Sequence, residues 1–192
     1  MTYFPMFIKI PEERIVLLVG GGLVAFGKLE KLSEFDVKVH LIADKVDLSF
    51  YNTPFRNNVE IEKRSFKDSD INPEYIFVIA ATNDRSINRR IAELCKEQRI
   101  PVNVVDDAEL SSFIFPSILK RGSVTAGISS GGKVPVITQY IRDILDRELS
   151  DDIGVITEKL EVYREELKGT VPDHKERAAL IKKRLDEYLN ET

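Results

Sequence analysis

Between Ile15 and Ala25 an unbroken apolar run meets three glycines and then an apolar helix start, Ile-Val-Leu-Leu-Val-Gly-Gly-Gly-Leu-Val-Ala. Gly20, Gly22 and Ala25 fill the slots of G-x-G-x-x-G/A. Those slots serve a tight turn, close approach of backbone to a pyrophosphate, and packing of helix on strand. A helix beginning there would aim unpaired N–H groups and its positive end at the pyrophosphate. Glycine turns of this kind also occur with nothing bound. Here Leu29 and Leu32 fall on one helical face with Lys28, Glu30 and Lys31 off it, the context the motif requires.

A second candidate is Asp44, which stands 24 residues past Gly20. That is near the offset of the acid that binds a ribose 2′-hydroxyl, and the other reading is a solvated turn acid. A carboxylate there favours NAD over NADP, with the neighbouring Lys45 working against that choice. After Ala80, the run Ala81-Thr82-Asn83-Asp84 offers Thr82 as a lining residue and Asp84 as the cap of the next helix.

These groups need a scaffold, and strands alternate with helices through the first 110 residues or so. The pattern predicts strands at Arg14–Val19, Val37–Ile42, Val59–Arg64, Tyr75–Ala80 and Val102–Val105, with helices at Leu23–Glu34 and Ser86–Gln98. This is an α/β fold with a Rossmann-type, doubly wound parallel sheet, whose ligand lies outside the strands' carboxyl ends, after Val19, Ile42, Ala80 and Val105.

Composition narrows the class further. The chain has 192 residues, 43% of them hydrophobic, a formal charge of −4 and one cysteine. That is enough apolar content for a core, and it argues against nucleic acid as the main partner. One cysteine excludes an internal disulfide, and with His40 and His174 as the two histidines no metal-ligand set is expected. Cys95 shares a helical face with Ile91 and Leu94 and reads as a small buried hydrophobe. The pattern of a secretory leader and any membrane-spanning run are both missing, so a cytoplasmic protein without a membrane partner is expected.

From Leu110 to Arg142 there is no Asp or Glu, while Lys120, Arg121, Lys133 and Arg142 are basic. Hydroxyls crowd the same window, including Ser111, Ser112, Ser117, Ser129 and Ser130. Ser117–Lys120 and Val124–Ser129 read as a hairpin about Arg121-Gly122. Ser129-Ser130-Gly131-Gly132-Lys133-Val134-Pro135 then leads into an apolar helix. That loop is either an anion site or a hydrated connection. From Ser150 the chain turns to charged amphipathic helix, with Ile156, Leu160, Tyr163 and Leu167 on one stripe. A break follows at Gly169–Pro172, then Ala178, Ile181, Leu185 and Tyr188 on another stripe. Mixed charge on the polar faces fits a packed domain or dimer contact better than a membrane surface.

Six segments, in order, resemble the precorrin-2 dehydrogenase family, which includes the N-terminal module of siroheme synthase and bifunctional dehydrogenase–chelatase relatives. They are Tyr3–Phe7, Val19–Ala25 with Lys28, Ala80–Asn83, Asn103–Asp106, Ser112–Ser117 and Ser129–Gly132, within a likeness covering about residues 3–149. The resemblance implies NAD⁺-dependent oxidation of precorrin-2 to sirohydrochlorin on the route to siroheme or cobalamin. It implies pyrophosphate contacts at Gly22, Leu23 and Val24, ribose contacts at Asp44 and Lys45, and Ser130 beside the tetrapyrrole. Asp106, which on the residues alone reads as a helix N-cap, becomes the catalytic aspartate by this likeness. Gly27 departs from the family, which often has a basic residue there. A polycarboxylate substrate gives the basic window a purpose, with Lys120, Arg121, Lys133 and Arg142 as candidate partners. The resemblance also implies a homodimer built from residues 113–149. The expected division is an NAD-binding domain at 1–112, a small dimerisation segment at 113–149 and a C-terminal helical domain at 150–192. A chelatase sharing the same pocket and a redox-sensing nucleotide-binding domain are the alternatives.

Overall fold

A computed structural model describes residues 3–190. Residues 1–2 and 191–192, the outermost ends of the expected first and third domains, lie outside the described residues. The chain divides into two compact units, Met1–Phe115 and Pro116–Thr192.

The first unit is a parallel five-stranded sheet. In chain order it holds β1 (Ile15–Val19), α1 (Leu23–Ser33), β2 (Lys38–Ile42), β3 (Val59–Glu62), β4 (Val78–Ala80), α2 (Arg85–Gln98) and β5 (Val102–Val104). The spatial order is β3-β2-β1-β4-β5, with every pairing parallel. Strands covered on both faces must be apolar at successive positions. In β1, Val16 and Leu18 join Leu29 and Leu32 of α1 in one core, while Leu17 and Val19 join Ile91 and Cys95 of α2 in the other. Leu17 and Leu18 are both fully buried, so truncating either to Ala removes about 2–5 kcal/mol of stability. Register brings four strand ends level: Val19 pairs with Ile42 and with Ala80, and Ala80 with Val104.

The expected strand at Tyr75 begins only at Val78. Tyr75 instead turns its hydroxyl to His40 Nδ1 at 2.7 Å. β5 is an edge strand of the sheet. The chain after it continues as turns, and Ser111 and Ser112 accept from the Val104 and Val102 N–H groups at 2.9 and 2.8 Å, supplying the partners a sixth strand would have given. Asp106 therefore caps no helix, because none follows Val105 before the second unit. α2 is capped as expected by Asp84, which accepts from the Ser86 and Ile87 N–H groups.

The second unit pairs β6 (Ser117–Arg121) with β7 (Val124–Ile128) as an antiparallel hairpin, followed by α3 (Pro135–Glu148), α4 (Ile153–Thr170) and α5 (His174–Asn190). At the hairpin turn Gly122 has φ +58, and a Cβ there would stand 2.9 Å from the Gly154 Cα. Two glycines thus let the first turn of α4 lie on the hairpin tip. α4 continues through Gly169 to Thr170, where a break was expected. Arg177 holds the following turn by donating to the Val171 and Pro172 carbonyls at 2.6 and 2.7 Å. Among the described residues no helix is long and apolar enough to cross a membrane.

Candidate functional site at the carboxyl edge of the sheet

The topology reverses direction between β1 and β4, so the crevice for a ligand opens where Gly20 and Ala81 follow them. The three glycines there have separate causes. Gly20 has φ +116, and a Cβ on it would meet the Ala81 carbonyl oxygen at 2.3 Å. On Gly21 a Cβ would meet the Lys45 carbonyl oxygen at 2.3 Å. Around Gly22 no described atom beyond its own chain neighbours lies within 4 Å of that position. The first two glycines serve the fold, and Gly22 leaves room for something the chain does not supply. At the same point α1 starts at Leu23 with no side-chain cap and no acid in its first turn, while Leu23 and Val24 are exposed. Uncapped N–H groups, a positive helix end and open space above Gly22 fit a dinucleotide's pyrophosphate.

On the β2 side, Asp44 is exposed just past the strand and accepts from the Ser65 hydroxyl at 2.7 Å; Lys45 beside it is also exposed. Arg64, two residues beyond β3, is held by Glu62 at 2.5 Å and by both oxygens of Asp70 at 2.7 and 2.9 Å. Those contacts push its pKa further up.

On the β4–β5 side a cleft of about 470 Å³ is lined by Val24, Thr82, Asn83, Arg85, Arg89 and Asp106, among others. Thr82 lines it with a hydroxyl already engaged, donating to Asn88 Oδ1 at 2.7 Å and accepting from the Asp84 N–H at 3.2 Å. Asn88 is buried and donates back to the Thr82 carbonyl at 3.0 Å, which pins the loop after β4. Asp106 is exposed into the cleft with φ +59, in the left-handed region that a non-glycine residue adopts at a cost of about 1–3 kcal/mol. Asn103, two residues inside β5, donates to the Phe113 carbonyl at 3.0 Å and ties the following segment to the strand.

Lys28 stands apart from the solvated face expected for it. Its ammonium lies 4.6 Å from the centre of the Phe115 ring, which packs with Phe77 and Phe113. Burial holds its pKa below the usual lysine range, with Lys31 adding to the effect and Asp106 opposing it. Cys95 is buried, and burial pushes its thiol up to about 12, so it is inert as a nucleophile.

The candidates of the basic window all fall in the second unit. Arg121 meets Asp146 and lies 3.0 Å from Asp151, and Arg142 contacts Asp143 at 2.7 Å. Arg121 Nε is buried and lacks hydrogen-bonding alignment toward Asp151, so that contact is an ion pair only. Lys133 is exposed in the loop, where Gly131 and Gly132 have positive φ, and Lys120 is half-buried. Ser130 Oγ accepts from the Val134 N–H at 3.0 Å and closes the loop ahead of α3; its own proton remains available to donate.

Sequence reasoning missed Gly21, Arg85 and Arg89. The arginines had a readable signal: two cations one turn apart, opening the helix that follows a strand end.

Comparison with known proteins places these features in a family. A family model described as "Putative NAD(P)-binding" matches residues 6–117. The siroheme synthase of Thioalkalivibrio sulfidiphilus (strain HL-EbGR7) is 35% identical over 173 residues, 90% of this chain and 35% of that protein. That of Neisseria meningitidis serogroup C (strain 053442) is 32% identical over 186 residues, 97% of this chain and 38% of that protein. The chain thus spans little more than a third of the length of these curated relatives. Among solved structures, "SirC, precorrin-2 dehydrogenase" superposes with a TM-score of 0.67 at 18% identity, covering 97% of this chain and 98% of that one, which shows a shared fold.

Proposed function

We propose that this chain, which belongs to the NAD(P)-binding family matched over residues 6–117, oxidises precorrin-2 to sirohydrochlorin. The observation that carries the reading is Asp106. Its carboxylate lines the same cleft as Val24 of the uncapped α1 start, at the edge where a dinucleotide would lie. The fold neighbour, a precorrin-2 dehydrogenase, supports this substrate, and the siroheme synthases support a tetrapyrrole of the same route.

NAD⁺, when bound, supplies the hydride acceptor. Gly22, Leu23 and Val24 would hold its pyrophosphate on the α1 N–H groups, and Asp44 its adenosine ribose. Ser65 fixes the Asp44 carboxylate in place. Loss of a hydride leaves the ring one proton in excess, and Asp106 is the group positioned to take it. Holding the ring against the acceptor does most of the work, and proton removal assists. Ser130, Lys120 and Lys133 are the candidates in the second unit for the substrate's carboxylates. Arg121 and Arg142 are bonded to aspartates, which leaves them weaker candidates.

NAD is favoured over NADP because Asp44 would repel a 2′-phosphate and the nearby guanidinium of Arg64 is already held by Asp70. A homodimer is supported by the exposed apolar face of α3, where Val136, Ile137, Tyr140 and Ile141 stand in solvent.

The test is anaerobic incubation of the protein with precorrin-2 and NAD⁺ or NADP⁺, following the absorption spectrum. Sirohydrochlorin should appear faster with NAD⁺. No oxidation with either nucleotide overturns the function, and equal kcat/KM for the two overturns the role given to Asp44.

A further inference from the structure

α2 carries its arginines in two different situations. Arg90 reaches Asp68 at 2.6 Å and Glu93 at 3.7 Å, so its charge is answered within the protein. Arg85 and Arg89 line the cleft instead. Arg85 comes no nearer to a carboxylate than 4.0 Å, at Asp107, with its side chain 91% exposed, and Arg89 has no ion pair among the described residues. Two features work against both placements, with Asp107 at 4.0 Å from Arg85 and Asp106 also lining the cleft as the offsetting acids. Arg85 is the first residue of α2, at the helix's positive end, and Arg89 sits one turn later, at a spacing where like charges repel. An anion entering the cleft would relieve both.

The strand order says which anion. Asp44 follows β2 and Asp106 follows β5, on opposite sides of the glycine turn after β1. The cleft therefore lies on the side away from the adenosine acid, around the group assigned to proton removal. Guanidinium groups bind carboxylates through paired N–H donors and so fix orientation as well as position. We propose that Arg85 and Arg89 grip peripheral carboxylates of the polycarboxylate macrocycle and thereby set which part of the ring stands over Asp106. This rests on the function proposed above and adds the specificity-determining residues of its substrate site.

The test compares wild type with Arg85→Gln, Arg89→Gln and the double variant, with Arg90→Gln as the control on the same helix. Steady-state kinetics with precorrin-2 give KM and kcat, calorimetric titration gives the NAD⁺ Kd, and thermal melting verifies folding. Each single variant should raise KM for precorrin-2 about fivefold to tenfold and the double variant at least about thirtyfold. kcat should fall as well, because a ring held loosely stands less often over Asp106, while the NAD⁺ Kd should stay within about twofold, and Arg89→Lys should recover part of the loss. Arg90→Gln should leave KM unchanged. A double variant with wild-type KM overturns the proposal while the dehydrogenase reading stands. An NAD⁺ Kd weakened as much as KM overturns it too, assigning the arginines to the dinucleotide's phosphates. If wild type neither oxidises nor binds the tetrapyrrole, the function falls first and this proposal with it.

Discussion

At the carboxyl edge of the parallel sheet, Arg85 and Arg89 line a cleft in which, among the described residues, no carboxylate comes closer to either than Asp107, 4.0 Å from Arg85. In the second unit Arg121 meets Asp146 and Asp151, and Arg142 meets Asp143. Along the sequence the impression is the reverse. Residues 110–142 contain no acid and look like a waiting anion site, whereas Arg85 and Arg89 are surrounded by Asp84, Glu93 and Glu97. The difference arises because α3 and the turn before α4 carry acids from just beyond the window back to the hairpin. α2, by contrast, turns its neighbouring acids elsewhere: Asp84 binds its own helix N-terminus. Net charge along a segment counts residues, and free charge in space depends on what folding brings beside them.

The strongest way to break the contrast is at the glycine turn. Gly20→Ala forces a Cβ onto the Ala81 carbonyl at φ +116, and should cost about 3 kcal/mol or more, read as a lowered melting temperature. Gly22→Ala meets no described atom beyond its chain neighbours within 4 Å, so its melting temperature should stay near wild type while NAD⁺ affinity falls. Equal destabilisation by the two substitutions would mean that Gly22 serves the fold and that the cradle is no cradle.

Asp106→Ala comes next. Turnover of precorrin-2 should fall about 10²-fold, the lower range for a lost general base. Relief of the left-handed strain by Asp106→Gly should hold or raise stability with the same loss of turnover. Wild-type turnover in either variant would leave Asp106 as a turn residue only.

In the second unit, Arg121→Met removes a cation whose partners are already in place. It should lower stability by about 1 kcal/mol, because its side chain is partly buried and its partners are exposed to solvent. Its KM for precorrin-2 should not change. A raised KM with an unchanged melting temperature would return Arg121 to the substrate and dissolve the contrast between the two regions.

The last effect, confined to alkaline pH, lies on the core face of α2, opposite the cleft. The Cys95 thiol titrates near 12 in the folded chain and near 9.0 when solvated. The raised folded value means that its contribution is intact below pH 9 and is lost as pH rises toward 12. Alkaline melts of Cys95→Ala should show a shallower decline over that window than wild type. Parallel curves would mean that the thiol ionises without leaving the core.

Much of this is legible in the sequence. The strands of the sheet announce themselves because a parallel sheet covered on both faces demands apolar residues in sequence, and Ile15–Val19 has no other residue type. The glycine turn, the Asp84 cap and the burial of Cys95 depend on residues within a turn or two of each other, so spacing carries them. The parallel sheet followed from the alternation of strands and helices, and with it the carboxyl edge that Asp44, Thr82 and Asp106 follow; the order β3-β2-β1-β4-β5 came only with the fold.

What the tertiary structure decided involves pairs remote along the chain. Gly21 looks like a free position in the motif until the Lys45 carbonyl is found 2.3 Å from its would-be Cβ. Lys28 reads as a surface lysine until Phe115 closes over it. Ser111 and Ser112 read as two hydroxyls of a polar window until the open edge of β5 takes them. Asp106 reads as a cap because an aspartate's local preference is strong, and only the missing helix and the left-handed backbone remove that role. Local preference is encoded by neighbours in sequence, whereas the pairing of a charge or the closing of a sheet edge depends on a partner that only the folded chain can bring within a few ångströms.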